Sequence, residues 1–151
     1  MRAITPFLWF DDDLEAAIDL YTSVFPDGKV HGITHGPDGK VLTADFEIAG
    51  QHVKGLNGGP EFPQTEAFSF MVECEGQEEV DRYWQALTAN GGEESQCGWL
   101  KDPFGVSWQI VPVEFLDAVG NGTPEQVGRV MAAMMTMRKF DVAAIEAAAA
   151  G

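Results

Sequence analysis

The chain has 151 residues, of which 45% are hydrophobic, and its 24 acidic and 9 basic side chains give a formal net charge of −15. This size and apolar content suit one compact domain, or two small modules sharing a core, and they exclude a disordered chain. The acidity disfavours a nucleic-acid partner, because phosphate backbones are bound mainly by Lys and Arg.

The two cysteines, Cys74 and Cys97, are too few for a disulfide framework. The N-terminus shows no signal-peptide pattern, and no apolar run is long enough to span a membrane. We therefore expect a cytoplasmic protein without membrane association and with both thiols reduced.

The first half predicts a strand, a helix and three more strands. An apolar, aromatic run of strand length covers residues 4–10, and the aspartates at 11–13 are candidate caps for the helix that follows. Apolar residues at helical spacing define that helix. The predicted strands after it cover residues 29–35, 41–48 and 52–56, the last two joined by a short hairpin turn.

The second half repeats this order, with a strand at 67–74, a helix at 77–90 and a strand pair within 97–112. Residues 4–28 overlie residues 66–90 without gaps at an offset of 62, which matches Tyr21 with Tyr83. Later in the chain Gly50 overlies Gly105 at an offset of 55. The hydrophobic pattern is kept across each element, so we predict two βαβββ modules.

The strand pair at 97–112 contains an Asp-Pro-Phe-Gly turn, in which Pro103 presets φ and Gly105 accepts a positive φ. The following strand alternates, so Trp108 and Gln109 point to opposite faces. A buried Gln109 amide would need hydrogen-bond partners.

Beyond residue 112 the sequence is helical. A short helix is predicted at 114–119, and Thr123 with Pro124 begins a second helix whose methionine-rich face continues to residue 138. Asp141 caps a last helix at 142–150. The methionine face packs either on the chain's own sheets or on a second subunit.

Four segments carry a resemblance to a known superfamily: LNGGPEF (56–62), EEVDRYW (78–84), QCGWLKDPFGVSWQIVP (96–112) and RVMAAMMTM (129–137). Together they resemble the vicinal-oxygen-chelate proteins, which include glyoxalase I, extradiol dioxygenases and bleomycin-resistance proteins. The match is nearer to the PhnB-like branch, whose domain is labelled 3-demethylubiquinone-9 3-methyltransferase.

The resemblance implies an α+β fold of two βαβββ modules that form curved half-barrel sheets around a cavity, with C-terminal helices, in a homodimer. We assign residues 1–151 to a single domain, with module one at 1–60, module two at 64–112 and a helical extension at 113–151.

The superfamily's divalent metal is held by His, Gln or Glu side chains, and the resemblance maps those positions onto Pro6, Lys54, Phe68 and Gln109. Proline and phenylalanine offer no ligand atom, and lysine is normally protonated. A single Gln amide does not hold a metal. We therefore predict no metal and no cofactor.

The remaining reactive side chains have simpler interpretations. His31 and His35 would lie about 13 Å apart in a strand, too far to share an ion, so His31, His35 and His52 are interpreted as surface histidines. Cys97 is a candidate nucleophile, but no histidine is assigned near it, and a small buried or cavity-lining residue is favoured.

The methyltransferase label finds no support in a glycine-rich turn, because an acidic segment without glycine follows the first strand. We therefore reject methyl transfer on a dinucleotide-type fold, while a methyltransferase of another fold stays open.

We predict that the protein binds a small, partly aromatic or apolar molecule in a metal-free cavity, with Gln109 facing inward. The candidate lining residues are Phe7, Trp9, Asn57, Ser69, Cys97, Trp99 and Gln109, with Trp108 considered as an alternative to Gln109. Three other possibilities stay open: a lyase, isomerase or dioxygenase of the superfamily, a methyltransferase, and a dimeric interaction module with a filled cavity. Whether the protein is an enzyme is undecided.

Overall fold

The computed structural model describes residues 1–151. The chain divides into two compact units, Met1–Gln64 and Thr65–Gly151. Each unit contains a four-stranded mixed sheet with one helix packed on it.

The first unit has the predicted βαβββ order. Its elements are β1 (Phe7–Phe10), α1 (Leu14–Val24), β2 (Lys29–His35), β3 (Val41–Ile48) and β4 (Gln51–Asn57). The strand order is β1-β4-β3-β2, with β1 parallel to β4 and the other pairs antiparallel. Strand β1 is shorter than predicted and begins at Phe7, because Pro6 before it has no backbone N–H to continue the ladder.

Alternation in the strands gives the first sheet a covered face and an open face. Phe46 and Val53 are fully buried on the face that α1 covers, together with Leu14 of the helix. The helix packs so closely on β4 that a Cβ at Gly55 would lie 2.7 Å from Leu14 Cδ1. The alternate residues, such as Glu47, therefore point to the open face.

The second unit repeats this order and adds three helices. Its elements are β5 (Ser69–Cys74), α2 (Gly76–Thr88), a 3₁₀ turn (Ala89–Gly91), β6 (Glu93–Glu94), β7 (Trp99–Lys101), β8 (Ser107–Pro112), α3 (Val113–Asn121), α4 (Pro124–Met134) and α5 (Val142–Ala150). The strand order is β5-β8-β7-β6, with β5 parallel to β8. Neither sheet is closed, and neither is the parallel doubly wound sheet of a dinucleotide-binding fold.

The Asp-Pro-Phe-Gly turn between β7 and β8 is confirmed and is held by a buried carboxylate. Asp102 Oδ1 accepts from the backbone N–H groups of Phe104 and Val106, and Oδ2 accepts from Trp108 Nε1. Gly105 has a φ of 84°. Trp108 is only 1% exposed, so this ring belongs to the core and does not line an open cavity.

The C-terminal helices pack within the second unit. Gln77 of α2 accepts from the backbone N–H of Val142 and donates to the Phe140 carbonyl, which joins α2 to the start of α5. Helix α4 ends at Met134, so the prediction that it reaches residue 138 is wrong. The Met137 and Arg138 carbonyls accept instead from the turn at residues 97 and 98, which draws the chain out of the helix.

The α+β class with two βαβββ modules and C-terminal helices is confirmed. None of the helices is both long and apolar enough to cross a lipid bilayer.

Candidate functional site

The open face of the second sheet centres on Gln109. Gln109 of β8 lies in register with Trp99 of β7 on one side and Met71 of β5 on the other. Its Nε2 donates to Ser69 Oγ over 2.9 Å, which orients the amide. As Gln109 and Trp108 are neighbours in an alternating strand, burial of Trp108 under α2 leaves Gln109 on the open face.

A hollow of about 230 Å³ lies beside Trp99 on this unit. Its lining residues are Glu66, Ser95, Trp99, Leu100, Lys101 and Ser107. Ser107 is only 1% exposed, and its hydroxyl has no hydrogen-bond partner within the protein. A buried hydroxyl without a partner is unfavourable, so a ligand or water atom that bonds it stabilises the site.

An ion pair closes one side of the hollow. Lys101 Nζ lies 2.5 Å from Glu66 Oε1. The hydrogen bond from Lys101 lowers the pKa of Glu66, and the same bond raises the pKa of Lys101. Both groups are therefore charged at neutral pH, and the ammonium presents a positive charge beside the indole of Trp99.

Cys97 lies in the turn before β7, with a left-handed backbone φ of 57°. Its backbone N–H donates to the Met137 carbonyl, and its Sγ lies 3.9 Å from Met135 Sδ. The thiol is thus in contact with a thioether, which supplies no base to activate it. The structure gives Cys97 a packing role in this turn.

On the first unit, Phe7 and Trp9 share the open face of β1. Phe7 is 56% exposed. The Trp9 indole is instead held by the loop after β4, since its Nε1 donates to the Gly59 carbonyl over 2.9 Å and its ring meets Phe62 edge to face at 5.0 Å.

Asn57 has a structural role at the start of α1. Its Oδ1 accepts from the backbone N–H of Leu14, and its Nδ2 donates to Glu15 and to the Val41 carbonyl. The expectation that an aspartate side chain caps this helix is wrong, because Asp13 at the N-cap position makes no capping hydrogen bond. Asn57 also lines a cleft of about 490 Å³ with acidic neighbours.

The superfamily's metal does not fit the residues at its mapped positions. Trp9 of β1 is in register with Leu56 of β4. Met71, the counterpart of Trp9 in the second module, is in register with Gln109 of β8. Leu56, not Lys54, is therefore the first-module equivalent of Gln109, and the mapping two residues earlier was wrong. Leucine has no ligand atom, so Gln109 is still the single side chain at the four mapped positions that could bind a metal.

The three histidines show a grouping that the sequence analysis missed. His31 Nε2 and His52 Nε2 lie 3.0 and 3.5 Å from the same atom, Glu47 Oε2. The two imidazoles stack with centroids 4.7 Å apart. His31 and His52 are exposed at the surface as expected, and it is His52, not His35, that lies beside His31. The tight hairpin at Ala49–Gly50 is the sequence signal that could have paired Glu47 with His52.

The chain matches one protein family over most of its length. The sequence model of the family described as 3-demethylubiquinone-9 3-methyltransferase covers residues 2–111. The chain belongs to this family. The resemblance to the PhnB-like branch is thereby confirmed, while no curated protein matches the chain.

Solved structures agree with this family assignment. A PhnB protein from Bacillus cereus is 30% identical, covers 74% of this chain and 99% of its own, and superposes with a TM-score of 0.67. A protein from Pseudomonas aeruginosa is 17% identical, with coverages of 74% and 98% and a TM-score of 0.61.

The fosfomycin resistance protein FosX from Listeria monocytogenes, solved with Mn(II) and sulfate, is 17% identical, with coverages of 72% and 89% and a TM-score of 0.52. At this identity the likeness shows a shared fold alone.

Proposed function

We propose that this PhnB-like protein binds a small, partly aromatic molecule bearing a hydrogen-bond acceptor, in the hollow beside Trp99. The observation that carries the proposal is the buried Ser107 hydroxyl, which lines the hollow and has no partner within the protein. Ligand sites are typically apolar surfaces with a few convergent polar groups.

The side chains around the hollow complement such a ligand. The Trp99 indole offers an aromatic surface, and the Lys101 ammonium, although paired with Glu66, offers N–H donors. The volume of about 230 Å³ is below the range of ~300–1,000 Å³ typical of drug-sized ligands. A small molecule therefore fits this hollow better than a cofactor.

The remaining candidates are assigned by their contacts. Gln109, oriented by Ser69, is proposed to contact the polar end of the ligand. Phe7, exposed on the open face of the first sheet, is proposed as a ligand contact of that sheet alone. The polar groups of Asn57 and Trp9 are used within the first unit, where both are proposed to support the sheet that carries Phe7. Cys97 packs on Met135 and is proposed to support the hollow indirectly. The proposal concerns binding, and no reaction is assigned.

We also propose a homodimer in the cytoplasm. The resemblance implies a dimer, and Met131 and Met135 leave apolar surface exposed at 40% and 67%. Cys74 and Cys97 are both free thiols, which supports a reducing compartment.

Saturation-transfer-difference NMR with a panel of benzoates and matched cyclohexane carboxylates tests the binding proposal. Benzoates are expected to give stronger transfer, since the indole favours an aromatic ring. Ser107→Ala should weaken the affinity of the best benzoate about 2- to 12-fold, the equivalent of one neutral hydrogen bond of ~0.5–1.5 kcal/mol.

Ser23→Ala is the matched control, because the Ser23 hydroxyl bonds only the Leu20 carbonyl at an exposed position of α1. If no benzoate binds, or if both serine variants bind equally well, the hollow is not the ligand site.

A further inference from the structure

We infer that His31, Glu47 and His52 form a binding site for a divalent transition-metal ion on the open face of the first sheet. Each residue offers one ligand atom, and the three atoms all lie within 4.8 Å of one another. The site lies apart from the positions at which the superfamily holds its metal, none of which is among these residues.

Two of the three donor-to-donor distances are close to those of one tetrahedral ion. Zinc binds imidazole nitrogen and carboxylate oxygen at about 2.0–2.1 Å, so two ligand atoms on one tetrahedral ion lie about 3.3 Å apart. The two nitrogen-to-oxygen distances are 3.0 Å from His31 and 3.5 Å from His52, both to Glu47 Oε2. The ligand atoms of the two histidines lie within 4.8 Å of each other, so rotation of the stacked rings must bring them closer for both to bind the same ion.

The sheet fixes these three side chains by two local features. Glu47 and His52 are directly opposite each other across the β3–β4 hairpin. The turn between them is tight, since Ala49 and Gly50 both have positive φ, 47° and 80°. His31 falls at a register irregularity in β2, where Val30 and Gly32 pair with consecutive residues of β3 and His31 is skipped. Such a bulge re-aims a side chain, here towards Glu47.

A second carboxylate orients one of the imidazoles. Asp45 Oδ1 lies 3.3 Å from His52 Nδ1, on the opposite side of the ring from Glu47. That oxygen is buried and makes no aligned hydrogen bond elsewhere. A carboxylate on the far ring nitrogen is typical of metal-ligating histidines, because it fixes the tautomer that leaves the near nitrogen free to ligate.

The donor chemistry selects the class of ion. Two imidazole nitrogens and one carboxylate oxygen suit Zn²⁺, Co²⁺, Ni²⁺ or Fe²⁺ better than Mg²⁺ or Ca²⁺, which prefer oxygen ligands. Three protein ligands leave at least one coordination position for water or a small molecule. The side chains of His31 and His52 are 38% and 52% exposed, so an ion can reach them from solvent.

The alternative is a purely electrostatic cluster, in which protonated histidines hold the Glu47 carboxylate. Two stacked imidazolium rings 4.7 Å apart would repel each other. An ion between the three donors removes that repulsion, because both rings then bind as neutral imidazoles.

Isothermal titration calorimetry of the untagged full chain with ZnCl₂ tests the site. One Zn²⁺ should bind per chain. Glu47→Gln and His52→Gln are each expected to weaken binding at least tenfold, and Asp45→Asn, which changes the group orienting His52, by about 10- to 100-fold. Titration with Co²⁺ provides a second readout, since nitrogen and oxygen ligation at low coordination number intensifies its visible d–d absorption.

His35→Gln is the matched control, as His35 is the third histidine of the chain and lies on the same strand as His31 outside the cluster. Far-ultraviolet circular dichroism of each variant shows whether it is folded. The inference is overturned if the native chain binds no Zn²⁺, or if folded His52→Gln binds as tightly as the native chain. Equal losses in His35→Gln and His52→Gln would also overturn it, because binding would then be a non-specific histidine effect.

Discussion

Asn57 Oδ1 accepts a hydrogen bond from the backbone N–H of Leu14 over 2.9 Å, although the two residues are 43 positions apart. The first N–H groups of a helix have no partner within the helix, and a side-chain oxygen usually satisfies one of them. Here the last residue of β4 does so, and it joins the helix to the sheet beneath it.

Asn57→Ala should lower the free energy of unfolding by about 1–2 kcal/mol, because it removes a helix cap and leaves the Val41 carbonyl without its partner. Urea denaturation checks this value. Asp13→Ala is the control, since Asp13 makes no capping hydrogen bond. Burial raises the pKa of Asp13, so its charge does not stabilise the fold, and little or no loss is expected. Equal losses in the two variants would show that Asn57 does not cap the helix.

The two cysteines should differ sharply in reactivity. Burial raises the pKa of the Cys74 thiol to about 12, and the side chain is fully buried. Cys97 is only partly buried. In native protein at mildly alkaline pH, a thiol-reactive dye should therefore label Cys97 rapidly and Cys74 only after unfolding.

Mass spectrometry of tryptic peptides assigns the labelled residue. Cys97→Ser protein should stay unlabelled until denaturant is added. Labelling of both thiols at similar rates in the native state would contradict the burial of Cys74.

The ion pair between α2 and the segment before α5 gives a small dependence of stability on pH. Lys139 Nζ lies 2.6 Å from Asp81 Oδ1, and hydrogen bonds from Lys139 and then Gln77 lower the pKa of Asp81 below its ordinary value of 3.8. A carboxyl group with a lowered pKa in the folded state contributes stability above its unfolded pKa. That contribution is lost as the pH falls through the folded value.

Asp81→Asn should therefore reduce stability at neutral pH by less than about 1 kcal/mol, since the pair is exposed and screened. The difference from the native chain should disappear below the folded pKa of Asp81. Urea midpoints measured from neutral to strongly acidic pH check this, with exposed Asp19→Asn as the control. If the difference in urea midpoint between the native chain and Asp81→Asn grew as the pH fell, the stabilising role of the Asp81 carboxylate would be contradicted.

Local sequence patterns predicted the elements of both modules with small errors at their ends. Strand β1 begins later than its apolar run, because Pro6 has no backbone N–H to donate to the ladder. Helix α4 ends early, because the Met137 and Arg138 carbonyls bond the turn at residue 97. Hydrophobic periodicity identifies an element but does not contain the partners that end it.

Candidate site residues were harder to predict, because their roles depend on what they touch. Gln109 lies on the open face of the second sheet, because strand alternation places it opposite the buried Trp108. Asn57, a cavity candidate, also accepts from the first backbone N–H of α1, a contact that no local pattern predicts. Ser107 was not singled out, because nothing local distinguishes a buried hydroxyl without a partner from one that has a partner.

By itself, the sequence determined the duplicated βαβββ order, the Asp-Pro-Phe-Gly turn and the family, since periodicity, turn chemistry and motif spacing are local properties of the chain. Only the tertiary structure decided that Leu56 corresponds to Gln109, and that a bulge in β2 brings His31 to Glu47 and His52. Strand register depends on pairing between distant segments, and a shift of a single residue moves every side chain to the other face of the sheet.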